Sequence, residues 1–286
     1  MKKPEVFFIR GFDRSGTHWL EDLVNLHPDI NCQGPFNLDI FFSGLKNFEK
    51  SNSCINTDGK PGYFNFLKKS IQIFTKEQII KFCGTDYKLV GDCSAKAIGT
   101  QFIPRSKYIV VARDGRDVIV DKILHIIKSV AQSQDNIKLF KRIPSLQKKI
   151  ELYRNDRDYF GKNKKELLND KRLFLFIALM WKNHILSDYS IYQNHSLHQS
   201  RILWIQLEEL QSDLENYLKS IYEFLNVDST KGKTVDEFTL GSLQLLQPQG
   251  VWKEYFSEEN LEWYDNNTQE AQKVVKFFTN SLEKKV

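Results

Sequence analysis

FFIRGFDRSGTHWL (residues 7–20) passes from an apolar run into a loop bounded by glycines and out again into a second apolar pattern. Val6–Arg10 is β-branched and aromatic, as a strand requires, and the run ends at Gly11. Gly16 follows five residues later. From Thr17 the apolar positions Trp19, Leu20, Leu23, Val24 and Leu26 keep helical spacing until Pro28 stops it. The stretch predicts strand, tight loop, helix.

The pattern recurs along the chain. KYIVVA (107–112) is a nearly unbroken apolar run suited to a strand buried on both faces of a parallel sheet. A helical pattern through Val118, Val120, Ile123, Leu124 and Ile127 follows it. RILWIQL (201–207) gives another strand, and SDLENYLKSIYEFL (212–225) a helix with Leu214, Leu218, Ile221, Phe224 and Leu225 on one face and Ser212 as its expected N-cap. Tyr87–Val90 is a weaker strand. Alternation of this kind implies an α/β fold with a central, mostly parallel sheet flanked by helices. We expect a single domain over residues 1–286, with 38–85 as an irregular or helical cap over the site.

Composition bounds the function classes. The chain has 286 residues, 41% hydrophobic and 27% charged, with seven prolines and no repetitive tract to mark a linker. The longest apolar run, Leu173–Trp181, is too short to cross a bilayer, and MKKPEVFF leads into no leader-type apolar core. The expectation is a cytoplasmic chain without a membrane partner. Cys32, Cys54, Cys83 and Cys93 have neither CxxC spacing nor a nearby ligand histidine in sequence, so reduced thiols and no metal are expected. Residues 138–172 hold twelve Lys/Arg against five Asp/Glu, more than the whole net charge of +5. That segment reads as a solvated helical insertion or as a basic rim for an anionic ligand. It lacks the interleaved aromatics that would stack on bases, so no nucleic acid is expected.

Gly11 and Gly16 have the glycine spacing of a P-loop, GxxxxGK[ST], but Thr17 and His18 stand where its lysine and hydroxyl belong. A Mg-nucleotide kinase therefore lacks its phosphate clamp and its metal ligand. The amides of Ser15, Gly16, Thr17 and His18 are still expected to face an anion at a helix N-terminus, with Arg14 adding a fixed charge. Such a loop suits one phosphate carrying a transferable group.

Two motifs in this order resemble the sulfotransferases that use 3′-phosphoadenosine 5′-phosphosulfate (PAPS), in the manner of a divergent member closer to the bacterial and carbohydrate types. Asp13–Leu20 is similar to P-[KR]-S-G-T-T-W-L, and Val111–Asp121 to V-x-R-[DN]-x-[RK]-D-V-x-V-S. Leu207-Glu208-Glu209-Leu210 resembles [YF]-E-D-L, and GVWKEYF (250–256) resembles G-x-W-K-x-x-F. The resemblance implies that PAPS is the co-substrate and that no metal takes part. Residues 14–18 would hold the 5′-phosphosulfate, Trp19 would stack on adenine, and Arg113 would grip the 3′-phosphate together with residue 121.

Several positions depart from that pattern. Asp121 replaces the family serine, and a carboxylate repels a phosphate. It turns away, is offset by Lys122 and Arg113, or marks a different donor. Leu245, Leu246 and Gln247 replace the family's RKG stretch, and Asp13 replaces proline.

In-line transfer needs a group to ease departure of the phosphate, for which Arg14 is the candidate, and a base to take the acceptor's proton. GDCSAK (91–96) resembles the family's G-E-K-[ST]-P segment, which carries the base role to Asp92, with His18 as the rival. His27, His125, His184, His195 and His198 receive no chemistry. The resemblance implies a small molecule or carbohydrate as acceptor, without naming which. The rival readings are an inactive nucleotide-holding protein on the same fold and, less well supported, a P-loop kinase.

Overall fold

A computed structural model describes residues 3–51, 61–100, 103–132, 144–194, 199–233 and 249–282. Five strands build one sheet: β1 (Glu5–Gly11), β2 (Ile30–Gln33), β3 (Leu89–Ser94), β4 (Lys107–Ala112) and β5 (Ile202–Gln206). The order is β2-β3-β1-β4-β5, and every pairing is parallel. Expectation and structure agree on an α/β fold with a parallel sheet between helices.

Parallel strands covered on both sides read as continuous apolar runs, because successive side chains enter opposite cores. Val6 and Phe8 of β1, with Tyr108 and Val110 of β4, pack under α4 (Gly115–Gln132), α7 (Lys171–Gln193) and α11 (Glu258–Leu282). Phe7, Ile9, Ile109 and Val111 face the other way, onto α1 (Thr17–Val24) and α9 (Leu214–Leu225). Each fully buried side chain of this size contributes roughly 1.5–3 kcal/mol. Helix α5 (Pro144–Asn155) and the short α6 (Tyr159–Lys162) lie between α4 and α7 in the chain; α8 (Leu207–Ser212) follows β5, and α10 (Trp252–Tyr255) precedes α11.

The structure corrects several local expectations. The weak strand lies further along than predicted, as β3, and includes Gly91, Asp92 and Ser94. Polar residues can occupy a fully buried strand here because Arg10 pairs with Asp92, as described below. The short β2 carries too few residues for a sequence pattern. Ser212 does not cap α9: its hydroxyl donates to the Glu209 carbonyl at 2.8 Å and closes α8 instead.

Residues 38–85 contain α2 (Asp39–Ser51) and α3 (Pro61–Cys83). Helix α2 meets the loop after β3, where Lys96 pairs with Asp39 and Lys46 donates to the Gly99 carbonyl. Helix α3 runs to the other end of the sheet. Ile73, Lys76 and Ile80 line a cavity of about 700 Å³ there, which shares no residue with the loops after β1 and β4. Exposed Phe66, Ile73, Phe74 and Phe82 explain why α3 shows no clean amphipathic period.

The basic segment is not simply a solvated rim. Burial pulls Lys149 down to about 8, and its ammonium donates to Glu166 O and Asn169 Oδ1. Lys164 and Lys171 pair with Glu254 and Glu259 near the chain's other end. No helix among the described residues is long and apolar enough to cross a membrane.

Candidate active site

The loops after β1, β3, β4 and β5 converge at the carboxyl edge of the sheet, where ligands of such folds bind. Both glycines of the first loop are sterically required. A Cβ on Gly11 would lie 2.5 Å from the Val111 carbonyl oxygen, and one on Gly16, whose φ is 90°, would lie 2.7 Å from Leu207 Cδ1. The loop is thus wedged between β4 and the start of α8. Arg14 takes φ of 73° without being glycine, and its carbonyl accepts from Arg113 Nη1 at 3.0 Å. This brace offsets a cost of roughly 1–2 kcal/mol for the left-handed conformation.

Ser15 is 0% exposed, and its hydroxyl has no hydrogen-bond partner among the described residues. A buried hydroxyl left unpaired is unfavourable unless a ligand completes it. The Ser15 amide, expected to face the anion, instead donates to the Phe12 carbonyl at 3.0 Å and closes a turn. The first-turn amides of α1, from Gly16 to His18, remain to bind an anion. Arg14 lies exposed at the rim, close enough that its charge helps hold His125 on α4 below the usual histidine range, second to burial.

Trp19 is 5% exposed and packed with Ile9, Leu20 and Leu23, a core position rather than an open face for adenine. His18 presents a side chain 64% exposed, its Nδ1 2.8 Å from Glu21 Oε2. The hydrogen bond to Glu21 raises its pKa, and that carboxylate already engages Nδ1. Asp13 is held by Lys122.

Asp92 does not have the surroundings of a base. It is 2% exposed; one oxygen accepts from Arg10 Nη2 at 2.7 Å and the other from the Phe36 amide at 3.1 Å, while Arg10 Nη1 donates to the Asp92 carbonyl at 2.7 Å. Both carboxylate oxygens are occupied inside the fold. The charged Arg10 that closes the first apolar run was the sequence signal for this pair.

Of the alternatives for Asp121, the offset by Arg113 is what the structure has, while Lys122 pairs with Asp13 instead: the Asp121 carboxylate takes Arg113 Nη1 at 2.5 Å, with both side chains buried. The arginine expected to grip a phosphate already holds an internal anion. Asp117 uses both oxygens to accept the amides of Gly250 and Trp252 at 2.8 and 2.9 Å, and Arg116 stacks on Trp252 at 4.0 Å. These contacts seat the chain after residue 248 against α4. Leu245, Leu246, Gln247, His195 and His198 lie outside the described residues.

Two further groups, His184 and Glu208, receive no chemical role from the sequence. His184 on α7 lies edge-on to Phe12 of the first loop, with ring centroids 5.4 Å apart. Its Nε2 is 3.3 Å from Asp188, which is fully buried and accepts the Ile98 amide at 2.7 Å. The contact is close in distance although its angles fall short of a good hydrogen bond. Spacing of four residues on one helix was the available signal.

The second is Glu208, whose Oε1 accepts the Asp114 amide at 2.8 Å while Oε2 has no partner among the described residues. Burial pushes this carboxyl above the ordinary value. A raised acid adds stability below its unfolded pKa, and that contribution is lost as pH rises through the folded value. Glu208→Gln, which resembles the neutral form, is expected to melt about 2–3 °C above wild type at pH 8. The gain should vanish toward pH 4. Scanning calorimetry across that range checks this, and a gain independent of pH would contradict it.

A family model described as a sulfotransferase domain matches residues 4–248. No curated protein matches the chain. Among solved structures, a sulfotransferase from Alicyclobacillus acidocaldarius is 12% identical at a TM-score of 0.50, covering 96% of this chain and 95% of that one. Mouse sulfotransferase SULT7A1, complexed with PAP, is 15% identical at 0.49, with 98% and 90% covered. The sulfotransferase domain of the Synechococcus PCC 7002 olefin synthase is 15% identical at 0.48, with 98% and 96% covered.

Proposed function

Because the chain belongs to the sulfotransferase domain family, we propose that it transfers a sulfuryl group from PAPS to a hydroxyl or amine of a small molecule or carbohydrate. The observation that carries this reading is the cradle after β1. It combines a buried Ser15 hydroxyl without a partner among the described residues, the amides that open α1 and the exposed Arg14. These groups suit a 5′-phosphosulfate, whose charge the amides and guanidinium would share.

In the transfer, the acceptor oxygen or nitrogen forms a bond to sulfur as the bond from sulfur to the phosphate oxygen breaks, and the electron pair stays on that phosphate. Arg14 offsets the charge that builds there. The acceptor's proton needs a base at the same rim. With Asp92 enclosed and His18 paired to Glu21, we take His184 as the candidate, since its ring stands against Phe12 of the first loop and its Nε2 lies 3.3 Å from the buried Asp188. His184→Gln is expected to lower kcat roughly 10²-fold with little change in the KM for the donor. A variant that keeps kcat within threefold of wild type would clear His184 of the role.

The Arg113–Asp121 pair supports a second reading, in which the chain holds a nucleotide without transferring from it. Calorimetry with 3′-phosphoadenosine 5′-phosphate and an assay with PAPS over a broad acceptor panel distinguish the two. Binding with transfer supports the enzyme, binding without transfer supports the holder, and no binding counts against both. Asp121→Ser frees Arg113 for a 3′-phosphate, so nucleotide affinity is expected to rise about tenfold, roughly 1.4 kcal/mol. Unchanged affinity would place the 3′-phosphate away from Arg113.

A further inference from the structure

Sulfuryl transfer as proposed uses neither Glu21 nor Cys93, yet both meet His18 beside the cradle. Glu21 lies one turn beyond His18 on α1, and Cys93 arrives from β3 on the face of the sheet that α1 covers. His18 Nδ1, a Glu21 carboxylate oxygen and Cys93 Sγ all lie within 4.8 Å of one another. The first two are 2.8 Å apart, and the thiol sits 3.4 Å from the Thr17 carbonyl that it donates to.

From this geometry we propose that His18, Glu21 and Cys93 form a binding site for a zinc-class divalent cation. Bonds of about 2.0–2.3 Å to nitrogen, oxygen and sulfur put the donors of a tetrahedral ion roughly 3.3–3.7 Å apart. Reaching that spacing takes shifts of about an ångström or less at each donor. Side-chain rotation supplies it readily at His18, most of whose ring is in water.

The donor set selects the ion. Imidazole, carboxylate and thiolate together suit zinc, whereas magnesium and calcium favour oxygen-only shells. Binding displaces the thiol proton and the proton held between His18 and Glu21, and the thiolate and carboxylate then offset the dication. Three protein ligands leave a fourth position for water on the exposed side of His18. The ion would tie the first turn of α1 to the end of β3, next to the loop that wraps the anion. Spacing in sequence cannot show such a site, since the sulfur comes from a strand more than seventy residues away from the helix.

The test uses the untagged full-length chain, stripped with a chelator and dialysed against zinc. Zinc content, competition with a chromophoric chelator and the absorption spectrum of the cobalt(II) form are then measured. One zinc per chain and a thiolate-to-cobalt charge-transfer band are expected. Cys93→Ser should remove the band, and His18→Gln and Glu21→Gln should each weaken zinc at least about tenfold. Stripped protein that takes up no zinc at micromolar concentration overturns the site, as do three variants that bind like wild type. His18→Gln changes an exposed side chain and decides the matter even where Cys93→Ser fails to fold. Metal content is independent of sulfuryl transfer, so failure here leaves the proposed reaction standing, and an inactive protein that binds zinc leaves the site standing.

Discussion

Arg14→Ala is expected to reduce sulfuryl transfer roughly 10³-fold while leaving the unfolding temperature within about a degree of wild type. The guanidinium is exposed at the mouth of the loop, so its removal opens no cavity. The backbone at residue 14 has φ of 73°, and alanine meets the same steric cost there as arginine. Folding should therefore be indifferent to the change. Catalysis should not be, because an arginine that offsets charge on the departing phosphate acts chiefly in the transition state. The loss is expected mainly in kcat, with a smaller change in the KM for the donor, and Arg14→Lys should recover part of it as a point charge without the planar fork. Turnover within threefold of wild type for the alanine variant would remove Arg14 from the mechanism.

Asp92→Asn should produce the opposite pattern, a loss of stability of about 3–5 kcal/mol with little specific effect on chemistry. Arg10 is fully buried and its guanidinium donates to the Asp92 carboxylate and carbonyl and to the Ile9 carbonyl, so the amide takes the charge of its carboxylate partner away from a buried cation. The melting temperature is expected to fall by roughly 10 °C. Turnover per folded molecule should change by no more than a few-fold, and the acidic limb of the pH–rate profile should stay in place. Replacing both partners together, Arg10→Met with Asp92→Leu, should restore much of the stability, because two apolar side chains need no pairing. A variant Asp92→Asn with a wild-type melting curve and a rate 10²-fold lower would return Asp92 to the role of base.

Both predictions come from the same feature of the site. Four of its charged groups, Arg10 with Asp92 and Arg113 with Asp121, are spent on pairs inside the protein, whereas Arg14 is left facing outward. In sequence these residues look alike, since each is a charged side chain beside an apolar run. Their burial and partners separate them.

Periodicity and glycine placement by themselves determined the parallel α/β fold and the strand, loop and helix around Gly11 and Gly16, because these depend on local sterics and on apolar runs of sufficient length, while the motifs at 13–20 and 111–121 carried the resemblance to the family. They did not determine β3 through Asp92, the Arg113–Asp121 pair, the enclosure of Trp19, the approach of His184 to Phe12, or the meeting of Cys93 with His18 and Glu21. Each of those depends on side chains distant in sequence or on the face a side chain takes in the fold. Whether a carboxylate is a base or a buried counter-ion is settled by its desolvation and its partners, and only the tertiary structure supplies both.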